Sequence, residues 1–179
     1  MDRHREGYVL TTEPARIDID RVHARLSQES YWAKGRERAV VERSVAGSLP
    51  YSVYAQEEQA AFARVVTDGA TFAWICDVFV DEQHRGRGLG TWLVESIVED
   101  LAVGGVQRFV MATRDAHEVY RRCGFAAMEG ADRWMESIGG LPVPPCWHLI
   151  HSDRWRRWTV AVGRRRHRRQ GPNDVRGRE

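Results

Sequence analysis

The sequence is poor in lysine. Lys34 stands alone, and the rest of the 27 basic residues are arginine. This excludes a Walker phosphate loop, which needs a lysine directly after its last glycines. Cysteine is also scarce. Cys76, Cys123 and Cys146 are odd in number, scattered, and form no C-x-x-C pair, so neither a zinc site nor a disulfide framework is indicated. No run of eighteen apolar residues occurs, which argues against a membrane span. The start, MDRHREGY, is charged and lacks the apolar stretch of a signal peptide, so a reducing cytoplasm is the expected location. No internal repeat is visible.

At 179 residues the chain is long enough to bury a core, and one domain is expected. The net charge of +2 hides an asymmetry. Residues 140–179 hold ten arginines against Asp153, Asp174 and Glu179, a net of +7, which leaves −5 on residues 1–139. The expected division is a folded domain over 1–139 and a basic tail over 140–179.

Alternation and turn signals predict strands over 8–12 (an edge), 51–55, 60–67, 70–80 and 108–112. A final hairpin is expected between 125–128 and 134–137. Helical spacing predicts 19–26, capped by Asp18 or Asp20, and 37–47, with only modest burial. It also predicts 91–103, stopped by Gly104-Gly105, and a last helix to Cys123, capped by Thr113 or Asp115.

The densest signal is CDVFVDEQHRGRGLG, residues 76–90. An apolar run ends in a charged turn, then Gly86, Gly88 and Gly90 alternate with Arg85 and Arg87, and an amphipathic helix follows. Glycines let backbone amides approach a ligand, and a helix start offers unpaired N–H groups and partial positive charge. This reads as a pyrophosphate cradle. A dinucleotide fingerprint would need G-x-G-x-x-G in the first strand–helix unit, and here the pattern is G-x-G-x-G in mid-chain.

The spacing of Arg85, Gly88 and Gly90 resembles the Q/R-x-x-G-x-G/A loop of the GCN5-related N-acetyltransferases (GNAT). Downstream, Ala116, Tyr120, Gly124 and Phe125 fit that family's N-x-x-A-x-x-x-Y-x-x-x-G-F, with Thr113 in place of the frequent Asn. The resemblance covers roughly residues 8–138. It implies an α/β (α+β) fold, a mixed, mostly antiparallel twisted sheet with helices on both faces. It implies acetyl transfer from acetyl-CoA to a primary amine by direct attack, with no metal. Amides from Arg85 to Thr91 (Gly86, Arg87, Gly88 and Gly90 among them) would grip the pyrophosphate, and the amides of Val78 and Val80 the pantetheine arm. Tyr120 would protonate the leaving thiolate.

Asp77 is the expected base, ahead of Asp81 and Glu82, with His23, His84 and His117 as alternatives. Tyr31, Trp32 and Trp74 are candidates for an acceptor pocket. Cys76 and Cys123 are expected to be small buried residues rather than nucleophiles. The expected partner is a small-molecule or protein amine, with a homodimer possible and no membrane. In the tail, Trp147, Trp155 and Trp158 interleave with Arg154, Arg156 and Arg157 ahead of RRRHRR. That pattern suits nucleic acid, although charge runs are usually solvated. Two other readings stay open from sequence alone: a silent acyl-CoA-binding module, and a nucleic-acid-associated protein acting through its tail.

Overall fold

The computed structural model describes residues 2–136. The predicted tail, Cys146 included, lies outside them. Residues Met1–Ala127 form one compact unit, and a second begins at Met128. In the second, the described residues contribute a single 3-10 turn, Ala131–Arg133. The predicted strands at 125–128 and 134–136 are not formed, and residue 137 is outside the described range.

The first unit is built on one six-stranded sheet with its strands in chain order. These are β1 (Arg3–Arg5), β2 (Tyr8–Thr11), β3 (Leu49–Ala55), β4 (Glu58–Thr67), β5 (Ala73–Val80) and β6 (Phe109–Val110). Neighbours are antiparallel except β5 and β6, which run parallel. The sheet is therefore mixed and mostly antiparallel, as expected. The expected edge strand at 8–12 is instead second in the sheet, because β1, whose sequence is Arg-His-Arg, covers it. That strand is too polar to carry an alternation signal. The Asp68-Gly69 turn is wider than a two-residue hairpin, since Asp68 accepts backbone N–H groups from Ala70, Thr71 and Phe72 and holds the loop before β5.

Alternation along β4 sorts the core into two layers. Ala61, Ala63 and Val65 face one cluster, with Leu10, Val53, Ile75, and Leu93 and Ile97 of α3 (Leu89–Val103). Phe62 points the other way, and with Phe79 it packs under Val22 of α1 (Ile19–Ala24) and Val41 and Val45 of α2 (Arg38–Ala46). Helices thus cover both faces. The sequence reading gave α2 modest burial because it weighed Ala39, Val40 and Arg43. The i, i+4 pair Val41 and Val45 is the buried stripe. A short helix, α4 (His117–Arg122), packs beside α3.

Asp18 caps α1 by accepting from the N–H of Arg21 at 2.9 Å, and Asp20 does not. The helix does not end at Leu26. It widens into a π-helix over Arg25–Glu29. Ser30 closes that turn, its hydroxyl donating to the Leu26 carbonyl (2.6 Å) and accepting from the Ala33 N–H (3.0 Å). Ala33 is buried by this pin, while Tyr31 and Trp32 between the two anchors are left exposed.

Candidate active site

Two parallel strands bonded only at their beginnings create the site. Ala73 and Trp74 pair with Phe109 and Val110, and no pairing follows. The predicted strand 108–112 is therefore cut to two residues, because Met111 onward diverges from β5. Beyond that point the free edge of β5 faces a cavity of about 560 Å³. Ile75 to Val78 line one wall, Met111 to Ala116 and Tyr120 another, and Tyr31, Trp32 and Arg36 a third. A second cavity of about 290 Å³ continues past Phe79, Val80 and Arg85 and shares Tyr31, Trp32, Arg114 and Asp115 with the first.

The backbone of β5 is specialised at this edge. The N–H of Asp81 donates to the Ala60 carbonyl at 2.8 Å. Val80 opposite Ala61 is then a non-hydrogen-bonded pair, so its amide points away from β4 toward the cleft. Between Phe62–Phe79 and Arg64–Cys76 the register shifts, and Asp77 and Val78 together oppose Ala63. This is a bulge, with Asp77 at φ +51°. A non-glycine residue in that region is uncommon and is held by its surroundings.

Those surroundings are three donors from distant parts of the chain. Trp32 Nε1 donates to Asp77 Oδ1 at 3.0 Å, while Arg36 Nη1 (2.9 Å) and Arg64 Nε (2.6 Å) donate to Oδ2. Asp77 is buried, 7% exposed. Asp77 does border the cavity, as a base would, but its two oxygens are already engaged. Arg36 and Arg64 were missed by the sequence reading. An arginine inside the apolar strand AFARVV was the available signal for Arg64; Arg36, after a glycine in a loop, gave none.

At the far end of β5 the chain enters the glycine loop. Asp81 is buried and accepts from Arg21 Nη2 at 2.5 Å and from Arg25 Nη2. Burial alone would push its carboxyl pKa up, but the two guanidinium bonds outweigh that and hold it below the usual carboxylate value. The loop is thereby tied to α1 and the π-helix. Gly86 and Gly88 both have positive φ, +77° and +74°. α3 starts at Leu89, two residues before the predicted Thr91, with Gly88 as its cap residue and no side chain capping it. Trp92 makes the first helical bond, to the Gly88 carbonyl. The amides of Gly88, Leu89, Gly90 and Thr91 are left without helical partners. Arg85 and Arg87 are exposed here. Arg5 of β1, also missed from sequence, sits with a guanidinium nitrogen 3.5 Å from where a Gly88 Cβ would stand.

Tyr120, on α4, is 8% exposed and packs edge-on against Phe125. Its hydroxyl has no hydrogen-bond partner among the described residues, and Tyr120 is one of the residues lining the larger cavity. Burial pushes its pKa up to about 12. Thr113 Oγ1 accepts from the Ala116 N–H (3.0 Å) and sets the approach to α4. Tyr31, Trp32 and Trp74 all line the cavity and are 41%, 43% and 46% exposed, unusual for aromatics on a folded surface. Tyr31 also spans the cleft. Its hydroxyl accepts from the Arg114 N–H at 2.8 Å, and the Arg114 guanidinium lies 3.7 Å over its ring.

Of the remaining candidates, Cys76 lines the larger cavity, and His23, His84, His117 and Cys123 lie outside both linings. His23 contacts the Arg36 carbonyl, His84 contacts the Tyr8 hydroxyl, and His117 is exposed at the start of α4. Cys76 and Cys123 are half-buried rather than buried. Burial raises both thiol pKa values, which disfavours a thiolate nucleophile. Among the described residues no group of three or more His, Cys, Asp or Glu is placed to hold a metal, and no helix is long and apolar enough to cross a membrane.

Comparison with known proteins places this geometry. The model of the acetyltransferase (GNAT) family matches residues 15–125. A crystal structure from Xanthomonas campestris, assigned to the GNAT family, is 37% identical with a TM-score of 0.71, covering 75% of this chain and 94% of that one. Glucosamine-6-phosphate N-acetyltransferase from Arabidopsis thaliana shares the fold at a TM-score of 0.54 and 16% identity, covering 75% of this chain and all of the other. GCN5-related N-acetyltransferase 1 of Arabidopsis chloroplasts is 26% identical, over 59% of this chain and 54% of its own length. A Gibberella zeae protein with an acetyltransferase name is also 26% identical, over 54% of this chain and 66% of its own. The chain thus spans about half to two thirds of these last two relatives.

Proposed function

Because this chain belongs to the GNAT family of acyltransferases, we propose that it moves an acetyl group from acetyl-CoA to a primary amine by direct attack. The observation that carries this reading is a continuous path. One cavity reaches Val80 and Arg85 at the entry to the glycine loop, and it shares Tyr31, Trp32, Arg114 and Asp115 with the cavity that borders the free edge of β5 and Tyr120.

The pyrophosphate of acetyl-CoA sits on the amides between Arg85 and Thr91, with Arg85, Arg87 and Arg5 supplying charge. The pantetheine arm runs along the amides of Val78 and Val80. An amide of the bulge polarises the thioester carbonyl. The neutral amine attacks the carbonyl carbon, a C–N bond forms, and the C–S bond breaks. The surplus amine proton leaves to solvent, and the sulfur takes its proton through Tyr120, which is recharged from water. With its oxygens committed to Trp32, Arg36 and Arg64, Asp77 fixes those three side chains in this scheme. Tyr31, Trp32 and Trp74 wall the acceptor.

A phenol held near 12 stays protonated at neutral pH. Full transfer to a thiolate of ordinary pKa, about 8.5, is uphill by roughly 5 kcal/mol. Tyr120 therefore acts first as a hydrogen-bond donor to the departing sulfur, and the proton crosses late. The test is calorimetry of the purified chain with acetyl-CoA, followed by a thiol-release screen over a panel of amines. Binding with release is expected. No heat with acetyl-CoA overturns the reading, and binding without release from any amine favours a silent acyl-CoA-binding module.

A further inference from the structure

The larger cavity is lined by three arginines, Arg36, Arg64 and Arg114, against two aspartates, Asp77 and Asp115. Arg114 and Asp115 approach to 3.5 Å with both side chains largely exposed, so water screens that pair. Arg36 and Arg64 are different. Their side chains are only 23% and 13% exposed, and both lean on the same oxygen of one buried carboxylate. Two guanidinium groups on one carboxylate leave one positive charge in excess, at the wall of the cavity.

Hydrogen bonding gives the same count. A guanidinium carries five N–H donors. Arg36 uses Nη1 and Arg64 uses Nε on Asp77, and among the described residues their other nitrogens have no partner. Planar forks with spare donors suit the geometry of a carboxylate or a phosphate. Asp77, itself bonded by Trp32, holds the pair in place, so little ordering remains for a ligand to impose.

We propose that the acceptor is a primary amine that also carries an oxyanion, carboxylate or phosphate, which Arg36 and Arg64 hold. This rests on the acetyl-transfer reading above and narrows its substrate class. It also supplies an account of the amine's proton. An ammonium beside two guanidinium groups loses its proton more readily than in water. The arginine pair therefore favours the nucleophilic form without a dedicated base, while the oxyanion offsets the repulsion that would otherwise weaken binding. A polyamine brings only positive charge and lacks the oxyanion that offsets that repulsion.

The experiment measures kcat/KM for thiol release with matched acceptors on the full chain, after calorimetry has established acetyl-CoA binding. L-phenylalanine is compared with L-phenylalaninamide, O-phosphoethanolamine with ethanolamine, and spermidine is run beside them. The two pairs separate a carboxylate from a phosphate. In at least one pair the oxyanion member is expected to exceed its neutral partner by about tenfold or more. Arg36→Gln should erase that preference, and Arg36→Lys should restore part of it. Arg36 is the more exposed of the pair, and a thermal melt of each variant confirms folding. Absence of an oxyanion preference in both pairs, or a preference for spermidine over every oxyanion-bearing amine, overturns the proposal, as does a preference that survives Arg36→Gln. So does release from none of the oxyanion-bearing amines when acetyl-CoA binds. Failure to bind acetyl-CoA is a separate result, and it removes the parent reading instead.

Discussion

Replacing Tyr120 by phenylalanine removes one oxygen and little else. The ring is buried against Phe125, and the hydroxyl has no hydrogen-bond partner among the described residues. No donor or acceptor on the protein is orphaned by the change, so the folding free energy should shift by less than about 1 kcal/mol. In the proposed scheme the pyrophosphate rests on the glycine loop and the first turn of α3, with which the Tyr120 hydroxyl makes no hydrogen bond, so acetyl-CoA affinity should hold within about threefold. Turnover should fall. A positioned acid contributes roughly 10²- to 10⁴-fold, or about 3–5 kcal/mol of barrier. The wild-type pH profile carries a second signature. With the phenol pKa raised to about 12 by burial, the protonated form persists through the alkaline range, so kcat should not decline on Tyr120's account below about pH 10. Stopped assays of CoA release from pH 6 to 10 on both proteins, beside calorimetry, measure all three quantities. A kcat within threefold of wild type, with acetyl-CoA still bound, would remove Tyr120 from the chemistry.

Three further outcomes test the frame. Gly88→Ala puts a side chain at φ +74° beside the Arg5 guanidinium; strain of about 1–2 kcal/mol should weaken acetyl-CoA binding roughly tenfold, and unchanged calorimetric affinity would refute the cradle. Leu93→Ala empties a fully buried site where α3 meets the sheet. It should cost about 2–5 kcal/mol in urea unfolding, and a loss under 1 kcal/mol would contradict the packing. Asp81 has a folded-state pKa below its unfolded value, so its contribution is present above about pH 4 and is lost as pH falls through the lowered pKa. Asp81→Asn should lose roughly 2–3 kcal/mol at pH 7 and show a shallower acid limb, since Arg21 and Arg25 lose their buried partner and keep only the exposed carboxylates of Glu58 and Glu29. An acid limb as steep as wild type would reassign that slope to other carboxylates.

What the sequence made legible is what short stretches decide by themselves. The strand, the glycine turn and the helix of residues 73–103 are written consecutively, and so are the residues of α4 around Tyr120. Elements whose limits depend on a neighbour were misjudged. β6 stops at Val110 because it parts from β5, and nothing in its own alternation encodes that parting. β1 exists because Arg3, His4 and Arg5 find Leu10, Val9 and Tyr8 across a turn, although their side chains are those of a solvated loop. The acceptor wall was the least readable part. Asp77 was singled out for its chemistry, yet its partners stand 45, 41 and 13 residues away, at Trp32, Arg36 and Arg64.

The cofactor side and the acceptor side are consequently specified in different ways. In the proposed scheme the first is a backbone shape written in one short stretch, the glycine turn and the start of α3. The second is a charge cluster assembled by the bulge in β5, the loop after the π-helix, and β4. A single change at Asp77 reaches all three of its partners. Asp77→Ala should therefore spare acetyl-CoA binding, which depends on the glycine loop, while it abolishes discrimination among acceptors. Calorimetry with acetyl-CoA beside acceptor profiles for the variant measures both. Joint loss of cofactor binding and acceptor discrimination, in a variant that still melts cooperatively, would show that the two sides are not separately built.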